Sequence, residues 1–212
     1  MLFADQLRHK NEETWKRAVD HTFVHDLWAG SVPEKVMREY ISQDFLFSDA
    51  FVALLGSAVA NVDDAKARLV YARQVGFIAT DEDGYFQRAL ERLGANKPGD
   101  IQPKPATKGL LDLMKKCKRS YPEAVTSLLV AEWLYLDWAT TQPNTSKPDD
   151  WLYSEWIDLH RGPAFETWVT FLRDEVNRVG ASADDETKKR MEDVFKTATG
   201  LELDFFEEAY AE

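Results

Sequence analysis

Apolar residues return along this chain at three- and four-residue intervals, and no stretch sustains the two-residue alternation of a half-buried strand. The expected fold is therefore all-α. A first helix is expected over residues 3–19. The next begins near Ser31-Val-Pro-Glu34, where Ser31 can cap and Pro33 suits a first turn, and runs to about Val59. Asp63 and Asp64 open a third that ends around Ala79, and Thr80-Asp-Glu-Asp83 opens a fourth that stops at Leu93-Gly94. Residues 96–105, with Pro98, Gly99, Pro103 and Pro105, read as the clearest loop. Helices follow over residues 106–118, 121–140, 151–179 with a break near Gly162-Pro163, and 184–211. The segments on either side of the loop are too one-sidedly apolar to stand alone, so residues 1–212 are expected to form a single domain.

Three acids interrupt the apolar faces of these helices. Asp44 has Tyr40 four residues before it, Phe47 three after and Phe51 seven after. Glu202 follows Phe195 and Ala198 and precedes Phe205, Phe206 and Ala209 at the same helical spacings. Glu132 sits between Val125, Leu128 and Leu129 on one side and Tyr135 and Leu136 on the other. Its helix is apolar nearly all round, which places it at the centre of a bundle or at a subunit interface. Acids are rarely buried unless paired, hydrogen-bonded or shifted in pKa. Three of them facing one core could line a small-molecule pocket with aromatic walls. Each could equally be a structural acid that holds a buried Arg, Trp or Tyr donor.

Composition narrows the function classes. The chain has 212 residues, 44% of them hydrophobic, enough for a core without a metal or disulfide staple. Its formal charge of −11 and pI near 4.9 would repel nucleic acid and anionic membrane. No basic-then-apolar N-terminal signal is present, and no uninterrupted apolar run approaches the ~18 residues of a spanning helix. A cytoplasmic protein is expected. Cys117 is the single cysteine, which excludes an intramolecular disulfide. Lying in the basic run 115–119, it reads as a surface thiol with no histidine nearby to act as its base.

His21 and His25 have the spacing of two metal ligands on one helical face, and Asp20 adjoins them, but the companion Glu and His residues of a zinc or di-iron site are not evident. They read as a histidine pair at a helix boundary. His160 has no Glu or Asp partner at ligand spacing. No nucleophile elbow, phosphate loop or dinucleotide glycine pattern occurs.

In the segments just described, the chain resembles the TenA/thiaminase II family of thiamin-salvage enzymes over nearly its whole length. His21-Thr-Phe-Val24 resembles the family's His-Pro-Phe-Val, and Tyr40-Ile-Ser-Gln-Asp44-Phe-Leu-Phe47 its Tyr-x-x-Gln-Asp-x-x-Tyr. Leu201-Glu202-Leu-Asp-Phe205-Phe206-Glu-Glu-Ala209 resembles its closing Leu-Glu-x-x-Phe-Trp-x-x-Ala. The resemblance implies an all-α, heme oxygenase-like helical bundle. It also implies that Asp44 holds the aminopyrimidine edge, that Glu202 shuttles protons at the leaving group, and that Tyr135 is a pocket tyrosine. The family's Leu-Leu-Pro-Cys-x-Trp-x-Tyr reads here Leu128-Leu-Val-Ala131-Glu-Trp133-Leu-Tyr135, so Ala131 stands where the nucleophilic cysteine would be. Phe47 and His160 stand where tyrosines are common, and the segment after Pro105 shows no clear tyrosine.

These departures resemble the branch of the family that lacks the cysteine and carries a glutamate in or near its place, for which Glu132 is the candidate here. The resemblance implies a hydrolase acting on a small aminopyrimidine, aminomethyl- or formylaminomethyl-substituted. Glu202 and Glu132 would be catalytic, and Asp44, Phe47, Tyr135 and His160 would bind the substrate. No metal or other cofactor is implied, nor a nucleic-acid or membrane partner. A homodimer or homotetramer is the expected assembly. The alternatives are a non-catalytic pyrimidine-binding protein and, on the same fold, a metal-dependent oxygenase.

Overall fold

The structure, a computed structural model, describes residues 1–95, 98–141 and 146–211, and among these it is built from α-helices with no strand. In chain order the helices are α1 (Phe3–Lys10), α2 (Glu12–Val19), α3 (Thr22–Ala29), α4 (Glu34–Asn61), α5 (Ala65–Phe77), α6 (Asp83–Arg92), α7 (Pro105–Cys117), α8 (Tyr121–Thr140), α9 (Trp151–Leu159), α10 (Pro163–Ser182) and α11 (Asp185–Tyr210). α8 lies at the centre and packs against α10, α11, α4 and α7. Its burial nearly all round explains why its sequence lacks a polar face. The buried apolar side chains form one contiguous cluster that reaches from Ala4 to Ala209.

Helix ends largely follow local chemistry. Asp64 and Asp184 cap α5 and α11, accepting from Ala67 N at 2.7 Å and Thr187 N at 2.8 Å. Gly94 (φ 57°) closes α6 and Gly162 (φ 87°) makes the expected break between α9 and α10. Positions 96 and 97 of the expected loop lie outside the described residues; Pro98–Asp100 forms a 3₁₀ turn, and Pro105 is the first residue of α7.

Four expectations are corrected. The first helix is broken at Asn11 (φ −117°, ψ 18°), whose amide donates to Leu7 O at 2.8 Å. The break lets α1 pack on α10 while α2 packs on α8 and α11. Ser31 does not cap α4: Pro33 occupies the cap position without a side-chain hydrogen bond, and the Ser31 hydroxyl turns back to Asp26 O. Residues 80–83 do not open a separate helix. α5 runs through a π-helical turn, Ile78–Glu82, directly into α6, with Asp83 N–H reaching back five residues to Ile78 O. Cys117 is fully buried rather than a surface thiol, and burial pushes its pKa up to about 12.

α4 has the length and mean hydropathy of a membrane-crossing helix. Within the fold it packs against α5, α7, α8 and α11, with Gln43 and Asp44 among its buried residues.

Candidate active site

The three sequence-singled acids come from α4, α8 and α11, and aromatic side chains one turn from each lock these helices together. Tyr40, a turn before Asp44, meets Tyr135, a turn after Glu132, through their hydroxyls at 3.0 Å. Tyr40 also packs edge-on against Phe205, centroids 5.4 Å apart, and lies 6.2 Å from Phe206, the pair that follows Glu202. The Trp156 indole N–H of α9 donates to the Tyr40 hydroxyl at 3.2 Å. Asp44, Glu132 and Glu202 are thereby held around one patch of core, at 5%, 7% and 2% exposure.

Their pairing separates these acids from the structural ones. Glu123 and Glu175, both 7% exposed, are matched by arginines: Arg190 reaches Glu123 at 3.1 Å and Arg178 reaches Glu175 at 2.7 Å. Tyr121 also donates to Glu175. Among the described residues, no Lys or Arg pairs with Asp44, Glu132 or Glu202, and the one donor near either glutamate is the Trp168 indole, which approaches Glu132 without closing a hydrogen bond of ordinary geometry. Asp44 Oδ2 is buried without a partner, and so is the Trp168 indole N–H.

Burial dominates the electrostatics. It raises the Glu132 and Glu202 carboxyls to about 8. It also lifts Asp44 well above the usual carboxylate range, helped by the charges of Glu82 and Glu202, while the Tyr40 hydroxyl opposes the rise. At Glu132 the Trp168 indole opposes the rise, whereas Glu82 and Glu202 add to it. The cluster therefore holds protons at neutral pH, and each carboxylate that ionises makes the next harder to ionise.

Glu82 is the member that sequence reasoning missed. It ends the π-helical turn, is partly exposed, and burial raises it to about 7 although Ser48, one turn beyond Asp44, hydrogen-bonds it. The residues that follow it, Tyr85 and Phe86, join the same aromatic network. Tyr85 stacks on Trp156 at 5.0 Å and Phe86 meets Phe45, the neighbour of Asp44, at 5.8 Å. A signal existed in the spacing, since Glu82 follows Ile78 by four residues and precedes Phe86 by four.

The remaining candidates differ in placement. Tyr135 is buried between Tyr40 and His160. His160 is buried 4.9 Å from the Tyr135 ring, with Nδ1 at 2.8 Å from Trp156 O; burial lowers it to about 4, so it is neutral. An Nδ1–H bonded to that carbonyl leaves Nε2 as an acceptor. Phe47 is only partly buried and stacks on Phe51 at 5.6 Å, outside the Tyr40–Tyr135 network. An apolar groove of about 710 Å³ between α5, α9 and α10 is lined by Phe77, Leu159, Phe165, Trp168 and Phe171. Trp168 is thus shared by this groove and Glu132.

No three His, Cys, Asp or Glu side chains among the described residues converge closely enough to share a metal ion. His21 instead caps α3, its Nδ1 accepting from Phe23 N at 3.0 Å, and its ring stacks on Phe206. His25 pairs with Asp20 at 2.8 Å.

The sequence pattern of the TENA/THI-4/PQQC family matches residues 8–212. The chain belongs to this family. Proteins named aminopyrimidine aminohydrolase, from Halalkalibacterium halodurans and Bacillus subtilis, are each 22% identical to it. The first alignment covers 100% of this chain and 97% of the relative, the second 99% and 90%. A TenA homologue from Pyrococcus furiosus superposes with a TM-score of 0.88 at 19% identity, over 99% of this chain and 100% of its own. The TenA homologue of P. horikoshii gives 0.86 at 22%, covering 99% of each chain. The heme oxygenase of Leptospira interrogans gives 0.70 at 16%, over 98% of this chain and 100% of its own, so the TenA fold here is also heme oxygenase-like.

Proposed function

We propose that this TenA-family protein is a hydrolase of thiamin salvage that acts on a small aminopyrimidine by carboxylate-assisted attack of water, without a cysteine nucleophile. The observation that carries the reading is the contrast in pairing. Asp44, Glu132 and Glu202 are as buried as Glu123 and Glu175 but have no arginine or lysine partner, in a chain whose relatives are named aminopyrimidine aminohydrolases. Uncompensated buried acids cost stability, and such cost is commonly retained where a ligand supplies the missing partners.

In this reading Asp44, with its free Oδ2, accepts from the amino group and protonated ring nitrogen of the pyrimidine. Tyr135 flanks the ring, Phe47, a turn after Asp44 and outside the Tyr40–Tyr135 network, reaches it only from the Asp44 end, and His160 offers Nε2 as a neutral acceptor. Glu132, one residue from Ala131, takes a proton from water as the water oxygen bonds to the methylene carbon. Glu202 gives its proton to the nitrogen as the carbon–nitrogen bond breaks, and the amine departs. Two carboxyls raised to about 8 and coupled by charge supply one acid and one base together, because the first to ionise holds the proton on the second. Cys117 takes no part. It is buried at the end of α7 beside Glu123, with a thiol that burial keeps protonated. Assembly as a homodimer or homotetramer belongs to the same reading and is measured by analytical ultracentrifugation.

Mass spectrometry of aminomethyl-, formylaminomethyl-pyrimidine and thiamin incubated with the protein tests the reaction. Product formation that falls by about 10²–10⁴ in Glu132→Gln and in Glu202→Gln is expected for loss of a general acid or base. Unimpaired turnover by both variants removes the mechanism. Ligand binding without product from any substrate favours the non-catalytic binder.

A further inference from the structure

Three of the four clustered acids have roles in the proposed reaction, and Glu82 has none. It is presented by the one π-helical turn among the described residues, a backbone form that is rare and concentrated at functional sites. Its flanking acids are outward and locally satisfied: Asp81 accepts from the Thr80 hydroxyl at 2.7 Å and Asp83 from Gln87 at 3.2 Å, all four residues being exposed. Glu82 is less exposed than either, hydrogen-bonds Ser48 of α4, one turn after Asp44, and its charge is felt at Asp44 and at Glu132 of α8. No lysine or arginine among the described residues pairs with it. The Glu82 carboxyl thus lies near enough to Asp44 and Glu132 for its charge to bear on both, in a place with no fixed cation among the described residues, and Asp44, 5% exposed, has its Oδ2 without a partner.

Charge of one sign gathered in a poorly solvated place is balanced either by protons or by a cation. A neutral or anionic substituent leaves the cluster protonated; a primary ammonium supplies the missing charge and three donors. We propose that Glu82 is the specificity-determining residue of this site, recognising a primary ammonium group on the pyrimidine's substituent and favouring such ligands over neutral ones of the same size. The assignment rests on the proposed function. Within it, the ring end is held by Asp44 and the substituent lies between Glu82 and Glu132; an ammonium already carries the proton that Glu202 would give an uncharged nitrogen, so it leaves as ammonia when the carbon–nitrogen bond breaks, and Glu202 keeps its proton. Ser48 orients the Glu82 carboxylate, and the π-helical turn brings it inward from a helix that otherwise passes on the outside.

The test is equilibrium binding by calorimetry, in a Glu202→Gln background so that no substrate is consumed, of aminomethylpyrimidine and its hydroxymethyl counterpart. Adding Glu82→Gln should weaken the aminomethyl ligand at least tenfold and leave the hydroxymethyl ligand within about twofold, as expected for loss of a charge-assisted contact. Equal weakening of both ligands would make Glu82 a structural residue, and no change in either would place it outside the site; both outcomes overturn the assignment. Glu82→Asp, which keeps the charge on a shorter arm, should retain the ammonium preference, and serves if the Gln variant does not fold. Failure of the wild-type protein to bind either pyrimidine would instead remove the proposed function, and the assignment with it.

Discussion

Glu175 and Glu202 are glutamates on adjacent long helices with nearly the same burial, yet only the first has arginine and tyrosine partners. The difference makes Glu202 a stability liability with a definite pH signature. Burial raises its carboxyl from 4.5 to about 8, so the folded protein holds this proton more tightly than the unfolded chain does. The stability it confers is full below about pH 4.5 and is lost as pH rises toward 8. Glu202→Gln abolishes that loss. Its melting temperature relative to wild type should therefore rise between pH 5 and pH 8.5, by several degrees if on the order of 1–3 kcal/mol is involved. A constant difference across that range would mean that Glu202 ionises normally in the folded state. Cys117 gives a second residue-level test. Native protein should resist alkylation by iodoacetamide at pH 8 and react only after denaturation, because the thiol is buried and held near 12. Rapid native labelling would contradict its placement. The burial of Asp44, Glu132 and Glu202 was legible from spacing of three, four and seven residues within single helices. Their lack of cations was only partly legible: Arg178 stands three residues after Glu175, at helical spacing, but Arg190 lies 67 residues from Glu123, and a partner that distant leaves no local signal.

Helices are where local signals and packing compete. α8 appears at its expected bounds because Ser120 and Pro122 start it and its apolar run leaves no alternative, whereas Asn11 divides the first helix for reasons of docking. The seat of α1 on α10 depends on Gly180. A methyl at that position would stand 2.3 Å from Phe3 Cδ1 and 2.7 Å from Cγ, a clash with a rigid ring. Alanine would otherwise favour the helix by about 1 kcal/mol. The clash should win, and Gly180→Ala is expected to destabilise by roughly 1–3 kcal/mol in a thermal melt. Combining it with Phe3→Leu should recover part of the loss; a rise in melting temperature for the single variant would show that α1 reseats freely. The π-helical turn is the element least legible in sequence. Thr80-Asp-Glu-Asp83 resembles a helix start, but Thr80 bonds back to Gly76 O at 3.0 Å and the helix continues through it. What the start signal concealed is the acid that the turn brings to the site.

At the scale of the molecule, the single apolar cluster that spans α1 to α11 supports the proposal that residues 1–212 form one domain. Near- and far-ultraviolet circular dichroism should then report one coincident thermal transition. Separate transitions for the segments before and after residue 96 would divide the chain in two. The sequence by itself determined the all-α class, most helix bounds, the inward direction of three acids and the absence of a cysteine at position 131, because each depends on residues within about two helical turns. Tertiary structure alone decided that the three acids lie on one patch of core, that Glu82 joins them, that Glu123 finds an arginine while these do not, and that Cys117 is inside. The first of these depends on helices from distant parts of the chain meeting at Tyr40, Tyr135, Trp156 and Phe206, the third on Arg190 of α11 reaching Glu123 of α8, and such long-range meetings leave no periodic trace in the order of residues.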